Sequence, residues 1–382
     1  MKAATLEFLK QRFSAYYQSG NLLAPPSMEE REWGFIFFDP EYPEIRMRRH
    51  MGFPRKDELF TYLRTMAPAH AYYSSAYYAI PDAPTMDQKQ WLGADLIFDL
   101  DADHIVRGPY DMMLARVKEE TEKLLEMLIG ELGVAPHTID LVFSGGRGYH
   151  VHVRDVETRN WGSNERRELI DYVCGIGLDP VMVLGRETHS PRGWYMRFIA
   201  SLQEYLLWLR EMEAEARIKE VSALEGVGKV SAEELEGRID EILKGLSGHP
   251  PVLNVRDPLV ARLVKGLTRT KEGKFASLLR EKAALADEPV TTDIKRLIRL
   301  PSSLHGGSGF RVTPVPVREI SRFDPLVDAV VFSDRKVNVD LTMKLSMSLL
   351  GSRYDLEKGI NQVPEALAVF LCCRGVAEIG GG

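Results

Sequence analysis

Asp99 and Asp101 stand two residues apart in the run LIFDLDADH, where an apolar stretch gives way to acids. On a β-strand, residues i and i+2 point to one face, so this spacing sets both carboxylates side by side at a strand's end. Two such acids repel unless a cation lies between them. Magnesium and manganese take oxygen donors of this kind, commonly one or two carboxylates with substrate phosphates completing the shell. Asp95 and Asp103 share the parity, but Asp95 lies in the first half of the run and Asp103 beyond its end, so both are left out. A lone D-x-D pair also fits a solvated strand end.

A second constellation is SGGRGYH at 144–150. Glycines allow backbone amides close to an anion, Arg147 offers a planar fork to phosphate oxygens, and His150 can donate a hydrogen bond to one. The segment lacks the Lys-Ser/Thr ending of a Walker A loop and precedes a strand, so the bland alternative is an ordinary hairpin with Gly at its turn. The third is DIKRLIRLPSSLH, where Asp293 precedes Lys295, Arg296, Arg299 and His305. If helical, Lys295 and Arg299 share a solvated face with Asp293 as a cap. Together the three segments supply acids for metal ions and Arg147, His150, Arg299 and His305 for phosphates, the inventory of two-metal phosphoryl transfer.

The elements that must position these residues read as a mixture. Residues 1–20 have helical spacing in Leu6, Leu9, Phe13, Tyr16 and Tyr17, and 57–66 and 109–133 read as further helices. Strands are expected at 34–38 and 45–53 around Pro40 and Pro43, at 71–80, at Asp140–Phe143, at His150–Val153 and at Phe310–Val315. Residues 164–176 read as helical, and 198–246, dense in Glu, Lys, Ala and Leu, as a helical insertion. Helices at 257–266 and 275–286 follow, and a further helix with its N-cap at Thr291, Thr292 or Asp293 is expected to run through Leu297, Ile298 and Leu300.

The chain has 382 residues, 45% hydrophobic and 27% charged, which excludes disordered, collagen-like and coiled-coil classes. No stretch reaches the run of about 18 apolar residues a membrane helix needs, so no membrane partner is expected and the cytoplasm is the default location. A net charge of -6 argues against a protein that coats nucleic acid through its overall field. Three cysteines, Cys174, Cys372 and Cys373, cannot supply a disulfide framework or a four-cysteine zinc site.

FDLDADH, SGGRGYHVHV and TTDIKRLIRLPSSLHG, in this order, resemble the three motifs of the archaeal and eukaryotic primase catalytic subunit, in its archaeal form. EWGFIFF, RMRRHMGF, HAYYSSAYY and RRELIDYVCGIGLDP extend the resemblance over roughly residues 1–340. It implies an α+β fold with a mixed, mainly antiparallel catalytic core at 1–200 and 286–382 and a helical subdomain at 201–285. It also implies Asp99, Asp101 and Asp293 as catalytic ligands of two Mg2+ or Mn2+ ions. Ser144, Arg147 and His150 would contact the triphosphate, and Arg299, His305 and Arg49 match further nucleotide-binding positions. The implied activity is synthesis of short primers from nucleoside triphosphates on single-stranded DNA during replication, with a large subunit carrying an iron–sulfur cluster.

Members of this family often carry a Cys and His zinc knuckle after the D-x-D motif, but residues 102–125 hold His104 and no cysteine, so no zinc is expected. Two competing readings differ in class. FDLDADH also looks like the opening motif of haloacid-dehalogenase-like phosphatases, with Asp99 as nucleophile, but Asp103 stands where Thr or Val is needed. A non-catalytic single-strand-binding or scaffold subunit would use Tyr72, Tyr73, Tyr77 and Tyr78 as stacking platforms, which otherwise read as strand packing.

Overall fold

The computed structural model describes residues 1–39, 46–105, 108–184, 192–270 and 272–380. The expected turn at Pro40 and Pro43 lies outside them. The fold is α+β, in two compact units. One comprises residues 1–122, 134–170 and 285–382; the other comprises 123–133 and 171–284, whereas the sequence reading drew a helical subdomain at 201–285.

The first unit opens with the helix Ala3–Ser19, whose buried Thr5, Leu9, Phe13 and Tyr17 recur every four residues as one stripe. Then come β1 (Trp33–Ile36), β2 (Arg48–Met51), the helix Lys56–Met66 and β3 (His70–Ser74). The stretch 71–80 breaks at Ser75, and β4 (Ala76–Tyr78) pairs instead with β5 (Trp91–Ala94). β6 (Leu96–Asp101), β7 (Ile139–Phe143) and β8 (Gly148–Val153) form the heart of a second sheet.

Two late strands close both sheets. β9 (Leu297–Arg299) pairs antiparallel with β3, giving the order β2-β1-β3-β9, and β10 (Thr313–Val315) pairs with β7, giving β10-β7-β8-β6. The helix expected through Leu297 and Ile298 is therefore a strand. The short helix before it, Glu288–Thr292, ends at Asp293, which is its C-cap and not an N-cap. The reason is tertiary: hydrogen bonding to β3 overrides a three-residue apolar run too short to display any period. Beyond lie β11 (Lys336–Leu341), the hairpin of β12 (Leu345–Leu349) and β13 (Ser352–Leu356), β14 (Gly359–Pro364) and β15 (Ala377–Ile379). β14, β11 and β15 form a sheet, and the helix Glu365–Cys373 between β14 and β15 is buried along its whole length.

The second unit is helical. Trp194–Arg210 contributes buried Phe198, Leu202, Leu206 and Leu209, and Ile239–Leu246, Pro258–Arg269 and Lys274–Glu281 add their apolar stripes to the same core. Asp257 caps Pro258–Arg269 by accepting from the Leu259 and Val260 amides, with Pro258 at the first helical position. The long helix expected at 109–133 runs as an α-helix over Tyr110–Glu126 and then as a π-helical turn over Met127–Glu131.

Candidate active site

β6 carries LIFDLD, and its burial follows from the residue types: Leu96, Ile97, Phe98 and Leu100 are buried, and Asp99 and Asp101 half-buried. Among the described residues β6 is the edge strand of its sheet, with β8 as its one strand partner. The Asp99 carbonyl is satisfied from outside the sheet, by the Asp287 amide at 2.8 Å. Across the ladder Asp99 faces His150, whose Nε2 lies 3.7 Å from Asp99 Oδ1, and Asp101 faces Gly148.

Burial pushes the Asp99 carboxyl up to about 7; the Asp101 and Asp287 carboxylates add to the rise, and Arg299 and Arg296 offset part of it. A carboxyl crowded by carboxylates is stabilised in its charged form by a cation. Among the described residues no three His, Cys, Asp or Glu side chains gather closely enough to enclose an ion by themselves. Asp99 and Asp101 instead present an open, all-oxygen donor set, which fits a hard divalent ion that keeps water or substrate oxygens in its shell.

The turn between β7 and β8 is shaped by its glycines. The Ser144 amide donates to the Gly148 carbonyl at 2.9 Å, and the Gly146 amide donates to Ser144 Oγ at 3.3 Å. Gly145 has φ +74, and a Cβ there would lie 2.8 Å from the His305 Cβ, so only glycine fits. Arg147 leaves this turn with its guanidinium paired to Asp103. His150 is fully buried, and desolvation together with His152, Arg299 and Arg296 holds it well below the usual imidazole range, hence neutral.

The third wall comes from β9 and the turn after it. Arg299 donates to the Tyr72 hydroxyl and to His70 Nδ1, each at 2.8 Å. An arginine only donates, so His70 Nδ1 accepts and the ring is neutral, in line with burial and Arg299 depressing its pKa. His305 packs edge-on against His70 with ring centres 5.0 Å apart, and its Nδ1 accepts from the Gly307 amide at 3.1 Å. Its pKa is also held well below normal, by burial first and then by Arg299. The proton of neutral His305 therefore sits on Nε2, the atom on the Gly146 side.

These walls enclose a cavity of about 210 Å³. Of the residues expected from the sequence, Asp99, Asp101, Ser144, Arg147, His150, Arg299 and His305 line it together. Asp293 and Arg49 do not. Asp293 accepts from the Lys295 amide at 2.9 Å and acts electrostatically on Tyr78 and Arg166, away from the cavity lining. Arg49 Nε lies 3.1 Å from buried Glu32, which also takes the His50 amide at 3.2 Å. Tyr73, Tyr77 and Tyr78 are core residues, while half-buried Tyr72 faces the cavity.

Three residues that line the cavity escape sequence reasoning, Tyr110, Arg374 and, as a site residue, Arg296; so does Asp287, which acts on Asp99 without lining the cavity. Asp287 stands in ADEPVTTD, six residues before Asp293, and no period singles it out. Arg374 follows a helix near the chain's far end, beyond the span of the resembling motifs.

A family model for the DNA primase small subunit matches residues 98–317, the stretch that holds the aspartate end of β6, the Gly-rich turn and β9. The chain is 57% identical over 379 residues to the DNA primase small subunit PriS of Methanoregula boonei, covering 99% of this chain and all of the relative. It is 53% identical over 382 residues to that of Methanospirillum hungatei, covering 100% and 98%, and 40% identical over 410 residues to that of Methanothrix thermoacetophila, covering both in full. Full-length identity at this level, with the paired aspartates and a cradle formed by the Gly-rich turn and His305 in one cavity, leaves neither the phosphatase nor the non-catalytic scaffold standing: the chain belongs to the DNA primase small-subunit family of archaeal type and is a DNA-directed nucleotidyltransferase.

Proposed function

We propose that the chain joins nucleoside triphosphates into short primers on a single-stranded DNA template, with Asp99 and Asp101 holding Mg2+ or Mn2+, two ions in all. The observation that carries this reading is the single cavity lined by an acidic pair on one wall and Ser144, Arg147, His150, Arg299 and His305 on the others. Asp287 rather than Asp293 is the better further carboxylate, supported by its amide contact with Asp99 and its effect on the Asp99 carboxyl. The chemistry such ions supply when bound is activation of the attacking 3′-hydroxyl and charge neutralisation on the leaving pyrophosphate.

The chain's own groups bind and orient. The Ser144 hydroxyl accepts from the Gly146 amide and keeps its proton to donate to a phosphate oxygen. Neutral His305 offers its Nε2 proton toward the same space, while Arg147 and Arg299 add fixed positive charge. Arg299, anchored by His70 and Tyr72, cannot swing away, and such preorganisation holds the triphosphate in line. Kinship with primase small subunits supports a large subunit carrying an iron–sulfur cluster as partner, and the three cysteines of this chain are too few to hold such a cluster themselves. No described helix is long and apolar enough to cross a membrane, and replication fits a cytoplasmic, nucleoid-associated site of action.

The test is primer synthesis on single-stranded DNA with labelled nucleoside triphosphates and Mg2+ or Mn2+. Asp99→Asn and Asp101→Asn should each lower product by at least about a thousandfold, the scale of losing transition-state charge stabilisation. Wild-type yield from either variant, with or without the large subunit, would sink the assignment.

A further inference from the structure

The cavity holds cations of two kinds. Arg147 is paired to Asp103, and Arg299 is tied to His70 and Tyr72. Arg296 and Arg374 also line it, and among the described residues neither makes an ion pair or a side-chain hydrogen bond. An exposed arginine without a partner is ordinary; one facing a concave, polar cavity beside other cations is held there against repulsion.

Arg374 caps the C-terminus of the buried helix Glu365–Cys373, where a positive charge complements the helix dipole. Its guanidinium lies 5.8 Å over the Tyr110 ring. The Tyr110 hydroxyl donates to the Gly146 carbonyl, so one aromatic ring connects this arginine to the Gly-rich turn. Phe370, on the same helix, packs 5.3 Å from Tyr110 and 5.2 Å from Phe310 between ring centres, which fixes the helix end at the cradle. The two unpaired arginines also differ in reach. Arg296 acts on Asp99 and His150, whereas Arg374, with Arg147, acts on Tyr110 and His305. Arg374 therefore belongs to the cradle end of the cavity.

We infer that Arg374 is a phosphate-binding residue of this site, contacting the distal phosphates of the incoming nucleoside triphosphate from the C-terminal helix. This rests on the proposed reading of the cavity. Because Arg374 has no anionic partner among the described residues, only the Tyr110 ring, its charge is available to the ligand, and its contact is lost when the distal phosphates are absent.

The experiment compares binding of ATP, AMP and inorganic pyrophosphate, each with Mn2+, to the full chain and to Arg374→Ala and Arg374→Lys, with thermal melts verifying that the variants fold. Arg374→Ala should weaken ATP and pyrophosphate about tenfold, the scale of one charge-assisted contact, and leave AMP unchanged. Arg374→Lys should recover part of the loss, and in primer synthesis the Ala variant should raise the nucleotide KM more than it lowers kcat. ATP affinity within twofold of wild type in Arg374→Ala, or an equal loss for AMP, would overturn the assignment. If the wild-type chain holds ATP no tighter than AMP, the nucleotide reading of the cavity has failed as well; if wild type discriminates and Arg374→Ala still does, only the role of Arg374 has.

Discussion

Asp95 and Asp99 stand four residues apart at opposite ends of one stretch of chain, and their surroundings are opposite. Asp95 is buried among cations and donors: Arg31 at 2.9 Å, the Tyr77 hydroxyl at 2.6 Å and Arg154 at 3.4 Å. Arg31 in turn donates to the Ser74 and Ser75 carbonyls, so the network is satisfied within itself. Among the described residues Asp99 has no paired cation: burial first, and then Asp101 and Asp287, push its carboxyl up to about 7, and Arg299 and Arg296 offset this only in part. A buried acid with its counter-charge built in holds structure together. A half-buried acid set among acids, with only distant arginines to offset them, is poised for a cation at the cavity.

That contrast can be broken by paired substitutions. Asp95→Asn leaves Arg31 buried without its counter-charge, and urea denaturation should report a loss of about 3–5 kcal/mol, typical of a broken buried pair. The same change at Asp99 relieves repulsion, so the melting temperature in metal-free buffer at pH 8 should stay level or rise. A fall at Asp99 as large as at Asp95 would erase the distinction.

The Asp95 side also predicts an acid limb. His152 stacks on Tyr73 with ring centres 6.4 Å apart, and burial lowers its pKa to about 4, with Arg31 lowering it further and Asp95 opposing. The unfolded imidazole takes a proton near its ordinary 6.5 and the folded one does not until about 4. Between those values the unfolded state binds more protons, so this contribution is full above about 6.5 and is lost as pH falls toward 4. It amounts to about 3 kcal/mol at most. His152→Asn should flatten that part of a stability-versus-pH curve; an unchanged slope would mean the acid limb belongs to other groups.

The smallest effect separates the two later acids. Asp287→Asn should reduce primer synthesis by roughly ten- to a hundredfold through the charge it lends to the Asp99 site, while Asp293→Asn should stay within about threefold. The reverse order would restore Asp293 as the functional carboxylate.

What was legible in the sequence is what local geometry enforces. Alternation along a strand places Asp99 and Asp101 together whatever the rest of the chain does, and the positive φ at Gly145 requires glycine in the turn that presents Arg147 and His150. The apolar stripe of Ala3–Ser19 is equally local.

Tertiary structure alone decided which distant residues complete the cavity. β9 is a strand because β3 is there to pair with it, and that pairing carries Arg299 to Tyr72 and His70 while leaving Asp293 outside. Arg49 is drawn to Glu32, and Arg374 is delivered by a buried helix from the far end of the chain. Spacing along a sequence determines side-chain direction within one element; which charge meets which depends on long-range pairing and burial, and neither leaves a period to read.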